Sequence, residues 1–271
     1  MSKHAKNWIL GIIGLVLGLL WLFPFYLIIT NSFKTPKGIF SSVIGLPVGG
    51  TFGNYTQAWA ALDFIRSLFN SLTITIVSVV LICLASAMAA YAIQRNHSKI
   101  SNVILMLFVA AMLIPFQSVM IPLTTIFGKV QMLNIPGLIF MYLGFGASLS
   151  IFLYQGAIAG IPEALDEAAT IEGAGPGRIF FTIILPMLNP MTVTVAVLNI
   201  VWIWNDYLLP SLVLPQSGYT IPLQTFFFFG QFTKQWNLAL AGLMLGILPV
   251  VVFYFFAQRW IIKSVTDGSV K

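Results

Sequence analysis

Six apolar stretches divide this chain, near Trp8–Thr30, Ser67–Ile93, Ile100–Phe127, Leu138–Gly160, Pro190–Leu214 and Leu238–Ile262. Each meets or exceeds the roughly 20 residues that a helix needs to cross about 30 Å of hydrocarbon. In lipid, backbone groups must bond within their own segment, so runs of this length are predicted as helices. Only 7% of the 271 residues are charged and the mean hydropathy is +0.96. A soluble domain carries about 25% charged residues, so this chain cannot dress a water-facing surface. The expected fold is an all-α membrane protein: one domain, residues 1–271, with six transmembrane helices.

The first run follows Lys3 and Lys6, as a secretory leader would. It is too long for a leader's apolar region and no small-residue cleavage pattern follows, so it is predicted to stay as a first span. In the third run, Pro115 and Pro122 leave two readings open: a kinked helix, or a bend that serves as a gate.

Thirteen Lys and Arg residues give a formal charge of +6, but they are scattered. They mark helix ends rather than a surface for nucleic acid. With the N-terminus inside, Lys3, Lys6, Arg95, Lys99, Arg178, Arg259, Lys263 and Lys271 fall on the cytoplasmic side. Lys34, Lys37, Arg66, Lys129 and Lys234 fall outside. Eight against five predicts both termini in the cytoplasm, together with the loop 161–189. The lone cysteine, Cys83, forms no intrachain disulfide, and His4 and His97 are the only histidines, so no metal site is expected.

Four of the seven acidic residues, Glu163, Asp166, Glu167 and Glu172, lie within ten positions of that loop. Pro162 suits the first turn of a helix and Glu163 complements its positive end. The helix is predicted to run to about Ile171, where Gly173, Gly175, Pro176 and Gly177 turn the chain. Glu163 and Glu167 share a face, an arrangement of like charges that costs roughly 0.2–0.5 kcal/mol. A basic partner opposite would account for it, and the small Ala164, Ala168 and Ala169 would let that partner approach. A solvated surface helix is the other reading.

Two outer connections are long. Residues 31–63 carry Phe40, Phe52, Tyr55 and Trp59 among Gly, Ser and Pro, and are expected at the membrane surface or against an external partner. Residues 215–237 carry Phe226–Phe229, too apolar for free water, and predict an interfacial helix or a subunit contact. Asp206 is the one acid in or near a span, beside Trp202, Trp204, Asn205 and Tyr207. Flat aromatic faces with amide and carboxylate groups could hold a sugar; an interfacial aromatic belt fits as well. Asn70, Gln117 and Asn199 are read as helix–helix hydrogen-bonding groups.

The stretch Glu167–Pro186, EAATIEGAGPGRIFFTIILP, has a spacing that joins these features. Glu167, Ala168, Ala169, Gly173, Ile183, Leu185 and Pro186 match the EAA loop of membrane subunits of ATP-binding-cassette importers. Within that superfamily the chain resembles the carbohydrate permeases, the group holding the second maltose-type subunit. NSFK at Asn31–Lys34, FNS at Phe69–Ser71, AYAIQR at Ala90–Arg95 and WNDYLLP at Trp204–Pro210 are similar to that group. So is the ending from Trp236 to DGSVK, with Ser264 and Asp267 departing from the usual Gly and Ala.

The resemblance implies a cytoplasmic coupling helix between spans 4 and 5, seated in a cleft of a nucleotide-binding subunit. Glu163, Asp166, Glu167, Ala168, Ala169, Gly173 and Arg178 would form that contact, with Glu167 as anchor. Trp202, Asn205, Asp206 and Tyr207 would line the substrate pathway or merely wall the cavity. Implied partners are a second homologous permease, two ATPase subunits, an extracytoplasmic solute-binding protein and membrane lipid, in a bacterial cytoplasmic membrane. This chain has no GxxxxGK[ST] loop, so ATP and Mg would bind in the ATPase partner and no catalytic residue is expected here. The competing reading is a self-sufficient ion-coupled transporter, for which only Asp206 supplies an ionisable group.

Overall fold

The computed structural model describes residues 3–229 and 235–269, and among them there is no strand. The helices are α1 (Lys3–Ser32), α2 (Pro36–Ser41), α3 (Gly53–Ala61), α4 (Phe64–Arg95), α5 (Lys99–Ala111), α6 (Phe116–Lys129) and α7 (Ile135–Ile158). They continue as α8 (Ala164–Ile171), α9 (Pro176–Met187), α10 (Asn189–Asn205), α11 (Leu208–Val213), α12 (Ile221–Phe226) and α13 (Trp236–Ser269). Four of them are long and apolar enough to cross a membrane, within α1, α4, α7 and α13. The bent pairs α5–α6 and α9–α10 raise that to six if each pair is one span.

The run 100–127, expected as one helix, turns by 103° between α5 and α6. The cause is local. Met112, Leu113 and Ile114 bond back three residues, to Val109, Ala110 and Ala111, tightening the last turn. Pro115 then offers no N–H and disfavours helical geometry at Ile114. Pro122, by contrast, sits inside α6 without ending it.

The run 190–214 also differs from a single helix, stopping at Asn205. Asp206 is extended, and its carboxylate accepts from the backbone N–H of Leu208 at 2.9 Å and Leu209 at 3.4 Å. Those bonds open a new short helix, α11. Hydropathy cannot register this break, because Leu208–Leu214 stays apolar.

The chain divides into two compact units. One comprises residues 1–65 and 224–252. At its centre Lys34, only 5% exposed, donates to Asn31 Oδ1 at 3.0 Å and to the carbonyls of Ser42 at 2.8 Å and Val43 at 3.3 Å. Asn54 donates to the carbonyls of Ser32 and Lys34, and accepts from Asn237. The NSFK motif is thus a polar knot that ties α1 to the following connection. Phe228 is buried against Gly242, while Phe226 and Phe227 are half exposed. Lys234, counted above among the outer charges, lies outside the described residues.

The other unit comprises residues 66–223 and 253–271. The tail DGSVK runs past its described part, as do the side chains from Arg259 onward. Here α7 is the central helix, with Tyr142, Tyr154, Leu138, Ile151 and Ile158 fully buried, and it packs on α5 and α10. Asn199 donates to Ser150 Oγ at 3.1 Å, the helix–helix bond expected of it. Asn70 instead donates to the carbonyls of Ser217 and Tyr219, and Ser71 Oγ accepts from Ile221 N–H. These bonds fasten the connection 215–221 to the start of α4. Gln117 is exposed on α6.

Gly146 sets how closely α4, α7 and α10 approach. A Cβ there would lie 2.6 Å from Ile82 Cδ1 and 2.8 Å from Asn199 Oδ1. Ile82 is fully buried, and Asn199 is held by Ser150 and the Val195 carbonyl, so neither can withdraw. Gly146→Val is expected to cost about 1–3 kcal/mol, read as a lower thermal midpoint and yield in detergent.

Candidate functional site

The acidic loop folds into α8, which begins two residues later than expected and ends at Ile171 as expected. Its end is a full Schellman motif: Gly173 N–H bonds to the Thr170 carbonyl and Ala174 N–H to the Ala169 carbonyl, both at 2.9 Å. Gly173 holds φ = +84°, where a Cβ costs roughly 1–2 kcal/mol. The turn therefore needs glycine at this position.

The acids of α8 divide between two faces. Asp166 points inward: Arg95 Nε and Nη2 reach its Oδ2 at 3.0 and 2.9 Å, and Tyr91 Oη donates to its Oδ1. Arg95 Nη2 also donates to the Ile161 carbonyl at 3.1 Å, just before the helix. Glu163 Oε1 lies 3.0 Å from His97 Nε2 and 3.8 Å from Arg95 Nη1. Part of the basic partner expected for the acids is thus in this chain. Side-chain exposure of 14% at Arg95 and 16% at Asp166 marks a pair largely removed from water. The Tyr91 ring packs 5.5 Å from Phe180 in the π-helical turn Phe180–Ile184, so α8 is gripped between α4 and α9.

The opposite face is free. Ala164, Glu167, Ala168 and Ile171, spaced as one helical stripe, are exposed, Ile171 to 87%. The Glu167 carboxylate makes no hydrogen bond or ion pair among the described residues. Ala169 is buried behind it, and Glu172 and Arg178 are exposed beyond. A shallow groove of about 280 Å³ runs alongside, lined by Tyr91, Arg95, Asp166, Glu167 and Thr170 among others.

The clamp residues Tyr91, Arg95 and His97 were not singled out as functional by the sequence. Two signals were available: the AYAIQR stretch holds both Tyr91 and Arg95, and the two are four apart, on one face at the cytoplasmic end of a predicted span.

Of the pathway residues, Asp206 and Trp202 both touch Tyr142. Asp206 is half-buried, with its carboxylate occupied by Leu208 N–H, Leu209 N–H and the Tyr142 hydroxyl at 2.9 Å. Trp202 packs edge-on to Tyr142 at 5.4 Å and stands in the wall of an apolar cavity of about 500 Å³ with Met112, Phe140, Gly144 and Ser148. Asn205 bonds to the Val201 carbonyl of its own helix, and Tyr207 is 41% exposed. Asp206→Ala is expected to lower stability by about 1–3 kcal/mol, because the Tyr142 hydroxyl and Leu208 N–H lose their acceptor. Asp206→Asn keeps an acceptor and should lose less; thermal unfolding of both variants measures the difference. A carboxylate serving only substrate would change uptake and leave unfolding untouched.

Residues 81–267 match the family described as "Binding-protein-dependent transport system inner membrane component". Among curated proteins the chain is 54% identical, over 99% of its length and 98% of the other, to a probable starch degradation products transport system permease, AmyC, of Thermoanaerobacterium thermosulfurigenes. It is 36% identical, over 94% of its length and 93% of the other, to the multiple sugar-binding transport system permease MsmG of Streptococcus mutans. Its fold is similar to a chain of a bacterial ABC transporter involved in the import of the acidic polysaccharide alginate. That match has a TM-score of 0.78 at 22% identity and covers 96% of this chain and 98% of the other. With the family model matching well over half its length, the chain belongs to the inner membrane components of binding-protein-dependent transport systems.

Proposed function

We propose that this chain is one permease subunit of an ATP-driven importer of sugar oligosaccharides, coupled to a separate ATPase through α8. The observation that carries this reading is the two-faced helix. Its rear is clamped by Arg95 and Tyr91, and its front offers Ala164, Glu167, Ala168 and Ile171. A rigid, exposed stripe of small and apolar residues around an acid that is unpaired among the described residues suits a cleft with a basic group in it. The polar ring of the clamp lets a push on α8 pass directly to α4 and α9.

In this reading each bent pair counts as one span, which makes six, and both termini and α8 face the cytoplasm. The pathway is shared with a second, similar permease. Two ATPase subunits bind ATP and Mg, and an extracytoplasmic solute-binding protein delivers the sugar. Relatives named for starch degradation products and for multiple sugars support an oligosaccharide as cargo. Membership of a binding-protein-dependent family decides against the self-sufficient ion-coupled transporter.

The test is reconstitution in liposomes of this chain with its second permease and ATPase. Uptake of labelled malto-oligosaccharides should require ATP inside and the binding protein outside. Uptake by this chain alone under a proton gradient, or copurification with no ATPase, would overturn the proposal.

A further inference from the structure

The connection after α1 is strongly apolar and turned outward. Phe40 is 74% exposed, Ile44 63%, Leu46 72% and Val48 99%. Most loops with this exposure would shed such residues, so something other than water covers them.

Hydrogen bonds fix where the loop lies relative to α1. Asn31 Nδ2 donates to the Val43 carbonyl at 2.8 Å, level with the end of the helix. The next carbonyl, Ile44, accepts from Tyr26 Oη at 2.7 Å. Tyr26 stands six residues before the helix end at Ser32, about 9 Å back along the axis. A tyrosine on a helix also leans toward its N-terminus, which carries the contact further back. Thr51 N–H then returns to the Phe33 carbonyl at 2.9 Å. The loop therefore leaves and rejoins the top of α1, and between those points it descends beside the helix.

That helix contains a candidate span, Asn7–Ser32, none of whose most apolar window is buried within the chain. Centring about 30 Å of hydrocarbon on the apolar run puts the membrane edge near Ile29, about one turn above Tyr26. Ile44 is thus held at the depth where acyl chains meet headgroups. The charge pattern agrees. No acidic residue precedes Asp63, and Lys37 is exposed beside the loop, so no charge there repels anionic headgroups.

We propose that the loop 43–50 is a wedge seated in the bilayer interface beside α1, with Leu46 and Val48 in contact with lipid. The side of the membrane follows from the topology proposed above, but the wedge itself stands on the geometry of α1.

The test uses the assembled transporter in lipid nanodiscs containing phosphatidylglycerol. Cys83→Ala removes this chain's one thiol, the partner subunits are likewise made cysteine-free, and Val48→Cys or, separately, Leu46→Cys carries an environment-sensitive NBD label. The expected result is blue-shifted emission, quenched by lipids spin-labelled high on the acyl chain, with most quenching by aqueous iodide lost. Emission and iodide quenching equal to those of free dye at both positions would overturn the wedge. So would protection that appears only when the solute-binding protein is added, since the surface would then be a protein contact. Neither readout depends on transport, so failure here is distinct from failure of the proposed function.

Discussion

Glu167→Lys is expected to cut ATP-dependent uptake about tenfold or more while leaving the chain about as stable as before. The two effects have separate origins. Within this chain the Glu167 carboxylate makes no hydrogen bond or ion pair among the described residues, so its removal breaks none. Glu163 lies one turn away on the same face, and replacing an anion by a cation there turns a repulsion into an attraction worth roughly 0.2–0.5 kcal/mol. That offsets the loss of an acid from the first turn of α8, about 0.3–1 kcal/mol. Against a docking cleft the sign reverses. Close charge pairs across interfaces couple by about 1.5–7 kcal/mol, and a loss of only about 1.4 kcal/mol is already tenfold in an equilibrium. Uptake of labelled sugar, ATPase copurification and the thermal midpoint should therefore move independently. If uptake and copurification hold while only the midpoint changes, α8 is not a docking helix.

That separation between faces explains what could and could not be read in advance. The acidic cluster, the glycine at position 173 and the end of the helix at Ile171 are local features, and composition with turn chemistry exposes them. Which acid faces which way depends on Arg95, 71 positions from Asp166 along the chain. No local pattern reveals such a pairing. Lys34 teaches the same lesson from the other direction. Counted as an outer charge, it is buried on three oxygens, because the connection after α1 folds back over it. Its charge serves the knot rather than the membrane surface. The bend at Pro115 was visible as a proline, but its size, 103°, arises from the tightened turn before it. The break at Asp206 was hidden because a side chain, not hydropathy, creates it.

Arg95→Ala addresses the rear face of α8 and should give a different phenotype. Removing the guanidinium strips two bonds from Asp166, one from the Ile161 carbonyl and the 3.8 Å ion pair from Glu163. Breaking a fully buried pair costs about 3–5 kcal/mol, and the partial exposure of this one lowers the expectation to roughly 2–3 kcal/mol. The front stripe is untouched, so the ATPase should still copurify and hydrolyse ATP. What weakens is transmission: Tyr91 and His97 are left as the polar ties between α8 and the end of α4, and uptake per ATP consumed should fall severalfold. The swap Arg95→Asp with Asp166→Arg restores opposite charges, and contacting pairs commonly couple by 0.5–3 kcal/mol. Rescue should nonetheless be incomplete, since Tyr91 donates to a carboxylate at position 166 and cannot do so to a guanidinium. Adding Tyr91→Phe to the swap removes that mismatch and should recover further stability and coupling. If the swapped pair instead matches Arg95→Ala in both readouts, the clamp contributes nothing specific and α8 is positioned by apolar packing alone.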